Sequence, residues 1–387
     1  MSSTADPYTS LLGDARCEVL ILGGGVTGAL VAHELLKHGV STMLVDKHSI
    51  GHGSTAASTG LLQYEVDTPL VELIKHVGQQ HATAAYRRGL AAIDDIEEII
   101  SALSDSCEFT RHNSLYFASH FWHYRALKRE YDCRLANGFD VDFLTRKQLA
   151  DISTLKAAGA IRSRGDAQIN PLKFTQQLVA STVRRGLRVF TDTRVVEVEE
   201  RDDGIIVKTS AGVIQADAIA FATGYSVEHI PTQPKFSLNS TYAAASQANL
   251  QVEGWPDECL IWETARPYFY ARRTADGRAI IGGEDSAFAN DHDRDQLVER
   301  RIQRLVKRFQ QLFPGAEFRP EYSWAGTFAE TQDGLAYIGQ VDDRPRAYFA
   351  LGYGGNGITF STVAAKIISD LYTGTPNADA EIFRFAR

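Results

Sequence analysis

The chain has 387 residues, of which 44% are apolar and 23% are charged, as in an ordinary globular protein. This length exceeds what one hydrophobic core usually supports, so we expect two domains. The 40 lysine and arginine residues are outnumbered by 48 aspartate and glutamate residues, and the formal charge of -8 argues against a nucleic-acid partner. No run of about 18 apolar residues occurs, so no membrane-spanning segment is predicted.

The N-terminal segment and the cysteines favour a cytoplasmic protein. Residues 1–16 are polar and lack the apolar stretch of a secretory signal, so we expect a frayed tail there. The four cysteines are far apart and form no C-x-x-C pair, which is typical of free thiols in a reducing compartment. The histidines show no metal-ligand spacing, so no metal site is predicted.

Residues 17–46 are the most informative stretch. The apolar run Val19–Leu22 predicts a buried parallel strand. A helical pattern that ends at Gly39 follows, and then a second strand that ends at Asp46. Three glycines with G-x-G-x-x-G spacing separate the first strand from the helix: Gly23, Gly25 and Gly28.

This order of elements predicts a dinucleotide site rather than a purely structural glycine turn. Gly23 permits a tight turn, Gly25 leaves room for a pyrophosphate, and Gly28 lets the helix pack closely on the strand. The helix N-terminus offers N–H groups to the phosphates, and Asp46 is placed to bind ribose hydroxyls. The other candidate cofactor residues of this unit are Val26, Thr27 and Lys47.

The next stretch, residues 47–62, is dense in small and hydroxyl-bearing residues. It is either a flexible surface loop or a second cofactor-binding segment, in which small side chains allow close backbone approach. The apolar pair Leu61-Leu62 and the adjacent Asp46 favour the second interpretation. The candidates here are Ser54, Thr55, Ser58, Thr59, Gly60 and Leu61.

Helices and strands then alternate along the chain. Apolar spacing predicts helices at 69–106, 120–136, 170–186, 292–313 and 358–372. Strands are predicted at 114–118, 188–200, 204–209, 212–221, 260–262, 268–271, 279–281 and 347–351, with a strand pair at 159–169.

The ordered motifs resemble the FAD-dependent oxidoreductases of the D-amino-acid oxidase, glycine oxidase and sarcosine oxidase family. The resemblance covers nearly the whole chain. It rests on GGGVTG at 23–28 with Asp46, GSTAASTG at 53–60, ATG at 222–224, DGRAIIGG at 276–283, WAG at 324–326, DGLAYIG at 333–339 and GYGGNGITFS at 352–361.

The resemblance implies an α/β fold with two domains. A Rossmann-like FAD-binding domain would be built from the discontinuous segments 1–85, 146–232 and 323–387. An inserted α+β substrate domain with an antiparallel sheet would comprise 86–145 and 233–322.

The resemblance also implies FAD rather than NAD. Val195 and Val196 would present backbone to the adenine, and the turn Ala222-Thr223-Gly224 would lie near the phosphates. A glycine-rich turn entering the last helix would stabilise negative charge on the flavin pyrimidine, unless it merely joins strand to helix. That turn comprises Gly354, Gly355, Asn356, Gly357, Ile358 and Thr359.

We expect FAD to be bound non-covalently. Some family members attach it through a cysteine near the DG motif or a histidine near the segment matching 53–60. Residues 324–334 contain no cysteine, and His52 precedes the matching segment.

The implied reaction oxidises a carbon–nitrogen bond of an amino acid or secondary amine by hydride transfer to flavin N5. A neutral amine can drive this step without a protein base, and no convincing base is apparent. An amino-acid substrate needs a carboxylate clamp, for which Arg272 is the candidate, unless it forms a surface salt bridge. Arg273 would point to the opposite face of the strand. Tyr242, Tyr268 and Tyr353 could supply hydroxyls, although each could equally be a packed aromatic; Tyr353, in the flavin-facing turn, is the best candidate.

One departure from the family pattern bears on the substrate. Glycine oxidase has an arginine two residues after its WAG, where this chain has Phe328. Either one arginine suffices or the substrate is not a simple amino acid. Oxidation of a 2-hydroxy acid or polyol, a flavin subunit that needs a partner chain, and an NAD-dependent dehydrogenase stay open as alternatives. The sequence leaves open the substrate, its stereochemistry, the electron acceptor and a possible homo-oligomer.

Overall fold

The computed structural model describes residues 7–225 and 236–387. The predicted tail at residues 1–6 and the predicted domain boundary at 232/233 lie outside these ranges. The prediction of a frayed tail is wrong for residues 7–16. The Leu11 side chain is buried, its N–H donates to Thr193 Oγ1, and the first strand already begins at Ala15.

The strands and helices follow each other along the whole described chain. The strands are β1 (Ala15–Leu22), β2 (Thr42–Val45), β3 (Leu61–Leu62), β4 (Thr110–Phe117), β5 (Val141–Thr145), β6 (Gly159–Gln168), β7 (Arg188–Phe190), β8 (Val195–Arg201), β9 (Gly204–Thr209), β10 (Val213–Phe221), β11 (Phe236–Ser246), β12 (Leu260–Glu263), β13 (Phe269–Arg273), β14 (Ala279–Ala287), β15 (Pro320–Thr331), β16 (Tyr337–Val341) and β17 (Arg344–Leu351). The helices are α1 (Val26–Lys37), α2 (Ser54–Ala57), α3 (Leu70–Ser101), α4 (Tyr124–Ala136), α5 (Arg146–Ile152), α6 (Pro171–Val183), α7 (Asp291–Gln296), α8 (Val298–Leu312), α9 (Gly357–Thr373) and α10 (Ala380–Phe383), with single 3-10 turns at Phe121–His123 and Pro256–Glu258.

The first sheet is mainly parallel and carries the G-x-G-x-x-G turn. Its order is β16-β17-β10-β1-β2-β7, with β9 also pairing with β10 and β8 with β9. Side chains alternate along β1, so Val19 and Ile21 pack in the same core as α1, α6 and α9. Leu20 and Leu22 pack on the other face with residues of β9 and β17. Burial on both faces explains why β1 is a continuous apolar run.

The second sheet is mainly antiparallel. Its order is β15-β11-β14-β13-β12-β4-β6-β3, with β5 also pairing with β6, and the β12–β4 pair is parallel. Ile302, Leu305 and Phe309 of α8 pack in one core with Tyr242 and Ile281 of this sheet. The predicted α/β fold with a parallel and an antiparallel sheet is confirmed. The division into domain segments stays a prediction.

Four predicted elements are wrong in detail. The strand predicted at 188–200 is divided into β7, which pairs with β2, and β8, which pairs with β9. Residues 159–168 form one ten-residue strand rather than a strand pair, because β6 pairs with β4 on one side and β5 on the other. The helix predicted at 292–313 is divided into α7 and α8 at Leu297. The helix α3 breaks at Gly78, whose φ of 80° is not helical. No helix in the described ranges combines the length and apolar character needed to cross a membrane.

Candidate active site

A cavity of about 500 Å³ brings residues of both sheets together. One group of lining residues comes from the β1–α1 turn and the end of β2. We call it the nucleotide wall: Gly23, Gly25, Val26, Thr27, Asp46, Lys47 and His48. A second group comes from the antiparallel sheet. We call it the aromatic wall: Trp262, Tyr268, Tyr270 and Phe328.

The glycines of the β1–α1 turn allow close backbone packing. Gly23 has a φ of +116°, and a Cβ there would lie 2.3 Å from Ala222 O. A Cβ on Gly28 would lie 1.9 Å from Gly23 O, so a larger residue would push α1 away from β1. Gly28 itself does not line the cavity, whereas Gly23, Gly25 and Ala222 do.

The N-terminus of α1 presents backbone donors at the cavity. The Val26 N–H donates to Thr55 Oγ1 at 3.0 Å. The N–H groups of Gly25 and Thr27 have no acceptor among the described residues. These groups and the dipole of α1 suit anionic oxygens.

Asp46 closes the nucleotide wall. Its Oδ2 accepts from Gly24 N at 2.6 Å and its Oδ1 accepts from His48 N at 2.7 Å. Two backbone donors therefore fix the carboxylate at the end of β2, in the position expected of a ribose ligand.

The segment 53–61 forms the short helix α2 and then enters the second sheet as β3. Ser54, Thr55, Ser58, Thr59 and Leu61 line the cavity. Gly60 does not line it; a Cβ on Gly60 would lie 2.1 Å from Ile169 O. The segment is therefore a packed wall and not a surface loop.

The turn before α9 also lines the cavity, from Tyr353 to Ile358. Asn356 Nδ2 donates to Gln63 O and Glu65 O, which holds the turn against the chain after β3. The N–H groups of Gly357 and Ile358 have no acceptor within the described residues. Thr359 does not line the cavity, since its hydroxyl donates to Asn356 O.

A family model described as "FAD dependent oxidoreductase" matches residues 18–371. The chain belongs to this family. The predicted resemblance and the predicted dependence on FAD are thereby confirmed, and the NAD-dependent alternative is wrong.

The names of two relatives of this oxidoreductase state an activity. The chain is 25% identical over 371 residues to "Glycine oxidase" of Geobacillus kaustophilus, covering 92% of this chain and 93% of the relative. It is 24% identical over 393 residues to "Gamma-glutamylputrescine oxidoreductase" of Escherichia coli, covering 97% and 87%.

Solved structures share its fold. The glycine oxidase of Geobacillus kaustophilus superposes with a TM-score of 0.79 at 22% identity, covering 96% of this chain and 99% of that chain. An L-alpha-glycerophosphate oxidase of Mycoplasma pneumoniae with FAD bound gives 0.79 at 14% identity, covering 94% and 98%.

The cavity of this oxidoreductase fits FAD. Backbone donors without acceptors among the described residues occur at the two helix N-termini, where those of Gly25 and Thr27 would suit a pyrophosphate and those of Gly357 and Ile358 would suit a flavin carbonyl. The turn Ala222-Thr223-Gly224, which also lines the cavity, carries no side chain larger than threonine.

The two residues predicted to contact adenine lie away from the cavity lining. Val195 and Val196 of β8 do not line it, and Val196 is 63% exposed. The predicted contact of these residues with adenine stays a prediction.

The placement of Arg272 corrects the prediction that it faces the substrate. Arg272 is 5% exposed and does not line the cavity. Its guanidinium donates to Thr59 O at 2.5 Å and to Ile169 O at 3.4 Å, and burial lowers its pKa to about 10. Arg273 points to the opposite face and donates to Leu250 O. Arg272 therefore holds the chain at Thr59 and Ile169 in place behind the cavity, because its N–H groups donate to their backbone carbonyls.

Tyr353 lines the cavity, but its hydroxyl is already bonded. The Tyr353 OH donates to Ala350 O at 2.8 Å, and burial raises its pKa. It supports the turn before α9, whereas its proposed catalytic role stays a prediction. Of the other tyrosines considered, Tyr268 lines the cavity and Tyr242 does not.

Sequence reasoning missed the acidic residues that follow β3. Glu65 and Asp67 line the cavity together with Gln63. The intervening Leu62, Tyr64 and Val66 are buried in the core. This period-two alternation, in a segment already linked to the cofactor, was a signal that could have found them.

The carboxyl groups near the aromatic wall have unusual electrostatics. Burial raises the pKa of Asp67, although its Oδ2 accepts from Gly355 N at 2.5 Å. Burial, with a smaller contribution from the charge of Asp67, raises the pKa of Asp285 to about 7. Arg266 stands at the edge of this group, with its guanidinium 5.0 Å from the centre of the Tyr268 ring.

Proposed function

We propose that this oxidoreductase oxidises a carbon–nitrogen bond of an amine or amino acid. The observation that carries the proposal is a single cavity that joins the nucleotide wall to the aromatic wall and has Glu65 and Asp67 in its lining. The names of the two relatives support it, because both refer to oxidation of amino compounds.

The protein's own residues have distinct tasks in this proposal. FAD supplies the hydride acceptor when bound. Gly357 and Ile358 N–H groups and the positive end of α9 favour negative charge at the turn. The aromatic wall orients the substrate and excludes water. In this proposal Asp67, which lines the cavity, takes the proton that a substrate ammonium must lose before its lone pair can act, and its raised pKa suits a proton acceptor.

Anaerobic reduction of the FAD-loaded enzyme tests the proposal, with flavin absorbance followed near about 450 nm. The panel holds glycine, sarcosine, proline, D- and L-amino acids, simple amines and hydroxy acids. Bleaching by an amine or amino acid is expected. Bleaching by hydroxy acids alone would overturn the proposal, and a protein that nothing bleaches would favour the flavin subunit that needs a partner chain.

A further inference from the structure

The charged side chains of the cavity differ between its two walls. Lys47 and the histidines at 48 and 52 lie with Asp46 near the nucleotide wall. Elsewhere in the lining that the structure describes, the only formally charged side chains are those of Glu65 and Asp67. A substrate bound against the aromatic wall therefore meets negative charge.

The expected positive clamp is absent from this part of the lining. Phe328 stands where glycine oxidase has an arginine, and it lines the cavity. Arg272 donates to Thr59 O and Ile169 O behind the wall. A substrate carboxylate would be desolvated here beside two carboxylates with no lining cation, which is strongly unfavourable.

Glu65 belongs to a buried cluster of acidic residues around one arginine. The side chain is almost completely buried, with 3% of the residue exposed. Its Oε1 accepts from Arg134 Nη1 at 2.8 Å, and Arg134 also donates to Glu130 at 2.7 Å. Burial and then the charge of Glu65 raise the pKa of Asp166 well above its usual range, and its protonated carboxyl group shares a hydrogen bond with Glu65. One guanidinium thus faces the carboxylates of Glu65 and Glu130, and the cluster keeps a negative formal charge.

The rings of the aromatic wall suit a cation as well. Trp262 stacks on Tyr116 with ring centres 3.8 Å apart, and Tyr268 and Tyr270 lie 5.8 Å from each other. The faces of such rings attract ammonium groups.

We infer that the substrate is an amine that binds as a cation and has no carboxylate on the reacting carbon. The inference rests on the proposed function and narrows it. Asp67 and Glu65 attract the ammonium group, and the aromatic wall holds the adjoining carbons.

Arg266 is the strongest argument for an amino acid instead. It is exposed, it lies over Tyr268, and its Nη2 donates to Asp67 O at 3.4 Å. Burial raises the pKa values of Asp67, Asp285 and Glu330, and the charge of Arg266 offsets part of each rise. One arginine at the edge faces three carboxyl groups, so the balance of formal charge stays negative.

Two inert probes of the same ring size test the inference on the FAD-loaded enzyme. Benzyltrimethylammonium carries a cation and benzoate carries a carboxylate, and calorimetry gives the Kd of each. We expect the cation to bind at least about tenfold more tightly. Asp67→Asn should weaken cation binding about tenfold or more, and Asp67→Glu should restore part of it. The exposed Glu253→Gln removes the same charge far from the lining and should leave both Kd values unchanged.

Matched substrates complete the test through the rate of anaerobic flavin reduction. Methylamine is compared with glycine, 1,4-diaminobutane with ornithine, and benzylamine with phenylglycine. Faster reduction by the amine of a pair supports the inference. Tighter benzoate binding, or faster reduction by the amino acid, overturns it and leaves the proposed function standing. A cation that binds tightly while no amine or amino acid reduces the flavin supports the cation site and overturns the proposed function.

Discussion

The two walls of the cavity are built by different means. The nucleotide wall uses backbone N–H groups from residues close together in sequence, with Gly23 and Gly28 allowing the approach. The aromatic wall uses side chains from β12, β13 and β15 and from Tyr268 just before β13, which the second sheet brings together. Backbone recognition depends on local conformation, whereas side-chain recognition depends on which face of each strand turns inward.

This difference explains why the sequence predicted the nucleotide wall better than the aromatic wall. Glycine spacing predicted the β1–α1 turn because only glycine fits a backbone contact such as that of Gly28. Alternation in β13 predicted that Arg272 and Arg273 point to opposite faces. It could not say which face meets the cavity, and the buried arginine turned out to hold the segment behind it. Phe328 was recognised only as a departure from a pattern, and the structure gives it a place in the aromatic wall.

The largest expected loss of stability comes from Gly28→Ala, which disturbs the packing of α1 on β1 next to the nucleotide wall. The added Cβ would lie 1.9 Å from Gly23 O, so α1 must move away from β1. We expect a loss of at least about 3 kcal/mol in the free energy of unfolding, with little flavin retained. Denaturant unfolding and flavin content measure both effects.

Gly53→Ala is the matched control for that loss. Gly53 has a φ of -78°, and no atom lies within 4 Å of a Cβ there. Its free energy of unfolding should change by no more than about 0.5 kcal/mol. A Gly28→Ala protein as stable as this control would contradict the close packing of α1 on β1.

A smaller loss of stability is expected from Arg272→Ala. This variant distinguishes a structural role of Arg272 behind the cavity from a role in substrate binding. Removing the guanidinium leaves the carbonyls of Thr59 and Ile169 without this donor, so we expect a loss of about 2 kcal/mol in the free energy of unfolding. Arg273→Ala, whose ion pair with Glu258 is 3.6 Å long and partly exposed, should cost about 1 kcal/mol or less. Unchanged stability together with a raised KM for amino acids alone would restore Arg272 to the substrate site.

The smallest effect concerns pH and the carboxyl group of Asp285, whose charge acts on Tyr268 and Tyr270 of the aromatic wall. Burial raises the pKa of Asp285 to about 7, with Asp67 and Glu330 raising it and Arg266 lowering it. The unfolded carboxyl releases its proton near pH ~3.9, so the folded protein binds more protons between these values. Stability should therefore fall as pH rises from about 4 to 7, by on the order of 2 kcal/mol between pH 5 and pH 8.

Asp285→Asn should remove that part of the slope, whereas Asp343→Asn, at an exposed position, should keep it. Urea unfolding of both variants across this pH range measures the difference.

The same ionisation adds negative charge near Asp67, so cation binding to the wild-type enzyme should tighten as pH rises through about 7. A slope that persists in Asp285→Asn would assign the titration to another group. If the Kd of the cation falls equally with pH in both variants, the charge of Asp285 does not act on the bound cation. The backbone N–H groups of the nucleotide wall carry no proton that titrates in this range, so they add nothing to the pH response of either variant.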